Sequence, residues 1–167
     1  MDRKEEVIEL LALTPHPEGG YFKEVYRSRE SFQVGGDDFP GGRSLSTSIY
    51  YLLGSGERSL FHRIRSDEVW HHYEGSPVTV HMIHEDSLYE AFVLGKELTS
   101  GERPQFTVPA GVWFGVTVEE PGSFALCGCT VCPGFDFRDF EMADRYRMLQ
   151  AFPEHEAVIR ELTQGVT

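Results

Sequence analysis

Between Gly56 and Gly75 the chain reads GERSLFHRIRSDEVWHHYEG. Three of its side chains invite chemistry: His62, Glu68 and the second residue of the tandem His71-His72. Imidazole titrates near neutral pH, so His62 or His72 can move a proton, with Glu68 as orienting or partner acid. Two histidines and one carboxylate are also a set that suits iron, which makes His62, Glu68 and His72 candidates for a divalent metal. A third use is plain lining of a polar interior. If this stretch is extended, side chains alternate across it. Glu68, Trp70 and His72 then share one face, while Val69, His71 and Tyr73 share the other. The tandem histidines therefore do not bind one ion together.

The elements that must position these groups are short and strand-like. STSIYYLL, SLFHRI, EVWHHYE, VTVHMIH, YEAFVL, QFTVP, FGVTV and FALCGCTV follow at close intervals. Gly, Pro, Asp, Glu or Ser separates most of them, as in an antiparallel sandwich or barrel. A helix is expected before them, from about Arg3 to Leu13, with Asp2 and Glu5 placed for a capping box. Pro15 and Pro17 end it. Gly35-Gly36 through Gly41-Gly42 read as a loop. From Glu141 the pattern turns helical, with Met142, Tyr146, Leu149 and Phe152 on one face, and Pro153 opens a second short helix through about Leu162.

With 167 residues, 40% of them apolar and 13% aromatic, one folded domain is expected. A net charge of −12 makes nucleic acid and anionic membranes poor partners. No apolar run is long enough to span a bilayer, and the charged start MDRKEEVIELLAL lacks the features of a signal peptide. Three cysteines, Cys127, Cys129 and Cys132, fit free thiols and a cytoplasmic location. Cys127-x-Cys129-x-x-Cys132 is also weighed as a zinc site, but it lacks a fourth ligand.

Gly56, five residues, His62, one residue, Ile64, three residues, Glu68, six residues and Gly75 form a spacing that resembles the first cupin motif. There a second histidine stands at the position of Ile64. Pro109-Ala110-Gly111-Val112-Trp113-Phe114 resembles the second motif, with Phe114 in place of a histidine. More closely, PHPEGGYFKEVYRS, TSIYYLL, FHRIRSDEVWHHYEG, VPAGVWFGV and GCTVCPGFDFRDFEMADR resemble one small cupin family, a domain of unknown function. This resemblance implies an all-β fold: a cupin-type jelly-roll β-barrel, an antiparallel double sheet, with short N- and C-terminal helices. The barrel is expected over about residues 20–140 of a single domain.

The usual metal set of cupins is three histidines and a glutamate. Ile64 and Phe114 cannot ligate, so a metal would need His72 as a substitute, and no cofactor is required. The metal-free alternative uses His62, Glu68 and His72 as proton-transfer groups, with Trp70 and Phe114 as flat walls for a sugar or ring. Related sugar-nucleotide epimerases pair a histidine base with a tyrosine acid, and Tyr21, Tyr26, Tyr50 or Tyr51 can supply that hydroxyl. The loop Pro15–Phe22 is expected to bend over a barrel edge and close the pocket with Glu18 or Tyr21. Arg27, Arg29, Arg63 and Arg65 can recognise phosphate or carboxylate, with Arg63 and Arg65 outside the barrel. The expected activity is that of an isomerase or epimerase on a small, sugar-like or polar metabolite. The alternatives are a non-catalytic ligand-binding or sensing barrel and a metal-dependent cupin enzyme. A homodimer is expected, because an open sheet face is often covered by a second subunit.

Overall fold

The computed structural model describes residues 2–33 and 39–165, so part of the Gly-rich loop lies outside the described residues. Helix α1 (Arg3–Leu11) carries the Asp2–Glu5 capping box, with Glu5 N donating to Asp2 Oδ1 at 2.8 Å. It stops at Leu11, before the expected Leu13, because Ala12 turns left-handed at φ 51° and closes the helix with bonds to Glu9 and Ile8.

The strands follow as β1 (Thr14–Pro15), β2 (Tyr21–Arg27), β3 (Ser31–Phe32), β4 (Arg43–Ser44), β5 (Thr47–Gly54), β6 (Arg58–Arg63) and β7 (Asp67–Gly75). Then come β8 (Val78–Ile83), β9 (Tyr89–Leu94), β10 (Gln105–Val108), β11 (Trp113–Val118), β12 (Phe124–Cys132) and β13 (Glu141–Met142). Helices α2 (Arg145–Ala151) and α3 (Glu156–Glu161) close the fold. Two antiparallel sheets face each other, ordered β1-β2-β5-β12-β7-β10 and β13-β6-β11-β8-β9. This is the expected all-β jelly-roll architecture.

The inward faces of both sheets make the main core, in which Tyr51, Trp70, Met82, Phe114 and Val116 are buried. Each outer face is partly covered by a helix. Val7 and Leu13 pack on Leu52, Phe124 and Leu126 of the six-stranded sheet. Phe61 and Ile83 of the five-stranded sheet pack under Met148, Phe152, Ile159 and Leu162. Burying a side chain the size of Phe61 contributes about 1.5–3 kcal/mol, so the C-terminal helices hold β6 in place.

Glu141 and Met142 differ from the helical expectation. They pair as β13 with Arg63 and His62 at the sheet edge. The helix begins only after Asp144, whose carboxylate caps Arg147 N at 2.9 Å. Its buried face is Met148 and Phe152, while Tyr146 is exposed. Among the described residues, no helix is long and apolar enough to cross a membrane.

Candidate active site

One irregularity in β6 builds the centre of the site. Against β11, Phe114 pairs with His62 but Val116 pairs with Ser59, so β6 carries an extra residue there. The bulge breaks strict alternation. Phe61 turns outward under the C-terminal helices, while Ser59 and His62, three residues apart, both reach the same carboxyl group. That group is Glu18. Ser59 Oγ donates to Glu18 Oε1 at 2.9 Å, and His62 Nε2 lies 3.0 Å from Glu18 Oε2.

Glu18 gets inside because the loop before β2 folds tightly over β6. Leu60 N donates to Glu18 O at 2.8 Å. Gly19 follows at φ 111°, and a Cβ there would lie 2.0 Å from Arg58 O. Gly20, at φ 70°, leaves room for the Tyr51 hydroxyl, which donates to Gly19 O at 2.7 Å. Only glycine takes this backbone shape at so close an approach.

The Glu18–His62 pair holds one shared proton. His62 Nδ1 lies 2.7 Å from Leu60 O, and a carbonyl only accepts, so Nδ1 carries hydrogen. In a neutral ring Nε2 is then a lone pair, and Glu18 Oε2 must donate to it. The charged alternative moves the same proton onto Nε2. Burial raises the Glu18 carboxyl and lowers the His62 imidazole, so both shifts favour the neutral pair. Phe114, 4.2 Å from His62 between ring centroids, and Phe140, 5.3 Å away, hold the imidazole from two sides.

A cavity of about 330 Å³ opens above this pair, lined by Glu18, His62, Ile64 and, from the other sheet, Tyr51, Glu68 and Cys129. Burial pushes the Glu68 carboxyl up to about 7; His62 pulls it down and Glu18 adds to the rise. The Cys129 thiol bonds it, and burial holds that thiol well above its ordinary range. His16 also lines the cavity. Its Nδ1 accepts from Glu18 N at 3.2 Å, which leaves the hydrogen of the neutral ring on Nε2. Burial lowers its basicity.

The segment after β12 forms the mouth. Phe135 and Phe137 join Phe140 in the lining, opposite Phe22. The buried Arg43 guanidinium fixes this segment by gripping Asp139 through two bonds of 2.6 and 2.7 Å. Phe135 N also donates to Thr47 Oγ1 at 2.9 Å. At the rim, Arg27 holds Glu24 at 2.9 and 2.7 Å, and Arg138 holds Asp136.

The structure thus gathers His62, Glu68 and Glu18 of the expected site residues and leaves four elsewhere. His72 shares the inward face of β7 with Glu68 but lies beyond the cavity, its Nε2–H donating to Ser76 O at 2.8 Å. Trp70 is buried between Tyr51 and Phe114 in edge-to-face contacts, as core rather than wall. Phe114 lies beneath His62 and does not line the cavity. Tyr21 points away, packed with helix α1 and below Lys4 Nζ at 5.6 Å. Arg63 is outside the barrel, stacked on Trp113 at 4.4 Å.

His16, Cys129 and the three mouth phenylalanines were not among the expected site residues. The spacing Phe135-x-Phe137-x-x-Phe140 after a strand was the available signal for an aromatic rim.

The metal set that the fold implies does not fit these residues. Ile64 and Phe114 carry no donor, His72 is remote, and both nitrogens of His62 are engaged. Among the described residues, no three His, Cys, Asp or Glu side chains converge to hold a metal ion. Cys127 and Cys129 are buried free thiols, and Cys132 is exposed.

Comparison with known proteins agrees with this fold. Protein SO0799 of Shewanella oneidensis superposes with a TM-score of 0.90 at 39% identity, covering 99% of this chain and 100% of that one. A hypothetical protein from Leishmania major gives 0.89 at 36% identity, over 96% and 98% of the two chains. Uncharacterized protein YML079W of Saccharomyces cerevisiae is 33% identical over 138 residues, 76% of this chain and 68% of that protein. A variant of the Bacillus subtilis oxalate decarboxylase shares the fold alone, with a TM-score of 0.57 at 17% identity over 90% of this chain and 37% of that one. The family model described as Cupin superfamily (DUF985) matches residues 5–143, and the chain belongs to that family.

Proposed function

We propose that the cavity is the site of a metal-independent acid–base isomerase or epimerase acting on a small, sugar-like or polar metabolite. The observation that carries this reading is the 3.0 Å contact of Glu18 Oε2 with His62 Nε2, beside a second buried carboxyl that burial pushes up to about 7. Proton transfer next to a carbonyl needs a base poised near working pH and an acid to protonate oxygen. Ionised Glu68 suits the first role. The Glu18–His62 pair suits the second, since the one proton it shares can pass to the substrate oxygen and return to the Glu18 carboxylate when that oxygen is deprotonated as product forms. His16 Nε2–H is available to orient the ligand.

A panel of aldoses and ketoses in deuterated buffer tests this. Deuterium should enter at the carbon beside the carbonyl, and His62→Gln should abolish it. Absence of exchange across the panel with intact protein would sink the reading.

A non-catalytic binding barrel is the second reading. It is favoured by the engagement of both His62 nitrogens, which leaves none free for a ligand. It predicts thermal stabilisation by a metabolite that is never turned over. Both readings keep the expectation of a cytoplasmic homodimer. The free thiols support the location, and Tyr73, nearly half exposed on the outer face of the six-stranded sheet, supports the second copy. A monomer by light scattering would overturn the dimer.

A further inference from the structure

The charges around the cavity match each other in pairs, with one exception. Arg27 is neutralised by Glu24 through two bonds, and it also donates to Phe135 O at 3.0 Å. Asp136 is neutralised by Arg138, at 2.7 and 2.9 Å. Glu18 and His62 form a neutral pair that shares a proton. Glu68 alone has no charge partner of its own: the basic group that acts on it is His62, which is already committed to Glu18. It is over nine-tenths buried, the Cys129 thiol is its side-chain partner, and no lysine or arginine is among the groups that shift it. An ionised carboxylate in such surroundings is costly until a positive charge reaches it.

The walls point the same way. His16 lies 4.6 Å from Phe22, 6.3 Å from Phe137 and 6.0 Å from Phe140 between ring centroids, so these four rings surround one space at the mouth. They offer an apolar wall to the body of a ligand whose charged end reaches Glu68. The chain as a whole carries a net charge of −12, which draws cations toward it and repels anions.

We infer that the ligand of this cavity is a small organic ammonium compound, whose charged nitrogen pairs with Glu68 while its apolar part lies among Phe22, Phe137, Phe140 and His16. An anionic metabolite, such as a sugar phosphate or a carboxylate, finds no unmatched cation among the described lining residues. The inference rests on the cavity being the substrate site, and it narrows the metabolite class to amine-bearing compounds, with one Glu68 oxygen on the ammonium and the other left as the base.

Three probes of one shape and different charge decide it: benzylamine, benzyl alcohol and benzoate. Each is titrated into ¹⁵N-labelled protein at neutral pH, with the amides of His16, Glu68 and Phe137 as reporters. Benzylamine should bind at least about tenfold more tightly than benzyl alcohol, and benzoate should not bind. In Glu68→Gln the preference of amine over alcohol should fall below about threefold, since the counter-charge is gone. Equal binding of amine and alcohol, binding of benzoate, no binding of any probe at millimolar concentration, or an unchanged preference in Glu68→Gln would each overturn the inference. Deuterium exchange on a neutral sugar without an amine preference would defeat this inference and leave the isomerase reading standing. An amine preference without exchange on any substrate would do the reverse.

Discussion

The two ends of the barrel interior are built from the same strand faces and do opposite things. On β7, Glu68, Trp70 and His72 all point inward and all are buried. At the upper end Glu68 borders a cavity of about 330 Å³. One step down, Trp70 is packed between Tyr51 and Phe114. One step further, His72 donates to a carbonyl and its Nδ1 has no partner among the described residues. Alternation along a strand says which side of a sheet a residue takes. It says nothing of depth, and depth separates a carboxyl that borders the cavity from a histidine packed beyond it.

The largest effect should come from the packed end. Phe114 is fully buried and touches both Trp70 and His62. Phe114→Ala leaves a cavity beneath the imidazole and should cost about 3–5 kcal/mol of stability in denaturant unfolding. A loss below about 1 kcal/mol would mean the lower end is as loosely filled as the upper one.

His62→Gln should act the other way round. Its expected mark is a fall of about 10²–10⁴-fold in turnover of an exchange substrate. Stability should change by no more than about 1–2 kcal/mol, since glutamine keeps a polar group near Leu60 and Glu18. Turnover within about threefold of the parent would assign His62 to packing and leave the binding barrel as the better reading.

How much of this contrast the sequence carries depends on the element. The strands, their order of burial on β7 and the placement of Arg63 outside the barrel follow from period-two patterning and turn residues. The bulge in β6 does not, because an extra residue shows itself only against its partner strand. Strict alternation puts His62 and Ile64 on one face and leaves Ser59 on the other, whereas Ser59 and His62 share Glu18. The choice of Tyr51 among four tyrosines likewise depends on the close approach of Gly19 and Gly20. The aromatic mouth was hidden by its context: residues 133–140 read as a connector, and the buried Arg43–Asp139 grip that holds them joins positions 96 apart in the chain.

The pH dependence of stability sharpens the upper end by itself. The Glu68 carboxyl rises from an ordinary 4.5 to about 7 on folding. Between those values the folded chain holds a proton there that the unfolded chain has released. Stability from this group is therefore intact below about 4.5, falls as pH rises toward 7, and is level above. Glu18, also raised, adds in the same direction, while His16 and His62, lowered by burial, oppose it. Comparing the parent with Glu68→Gln isolates the group. The variant should gain on the parent by on the order of 1–3 kcal/mol across that window. A constant difference from pH 4.5 to 7 would show that Glu68 is solvated and not held near neutrality.

The smallest effect is expected at the lower end, at His72. Replacing it by leucine removes the bond to Ser76 O and leaves that carbonyl unpaired, a loss of about 1–2 kcal/mol. The same change also removes Nδ1, a buried acceptor whose desolvation has no compensating bond among the described residues. That gain is of similar size, so net stability should stay within about 1 kcal/mol of the parent. Turnover should stay within about threefold, because His72 does not border the cavity. If turnover instead falls as far as in His62→Gln, the two ends are coupled through Trp70. The lower histidine would then belong to the chemistry after all.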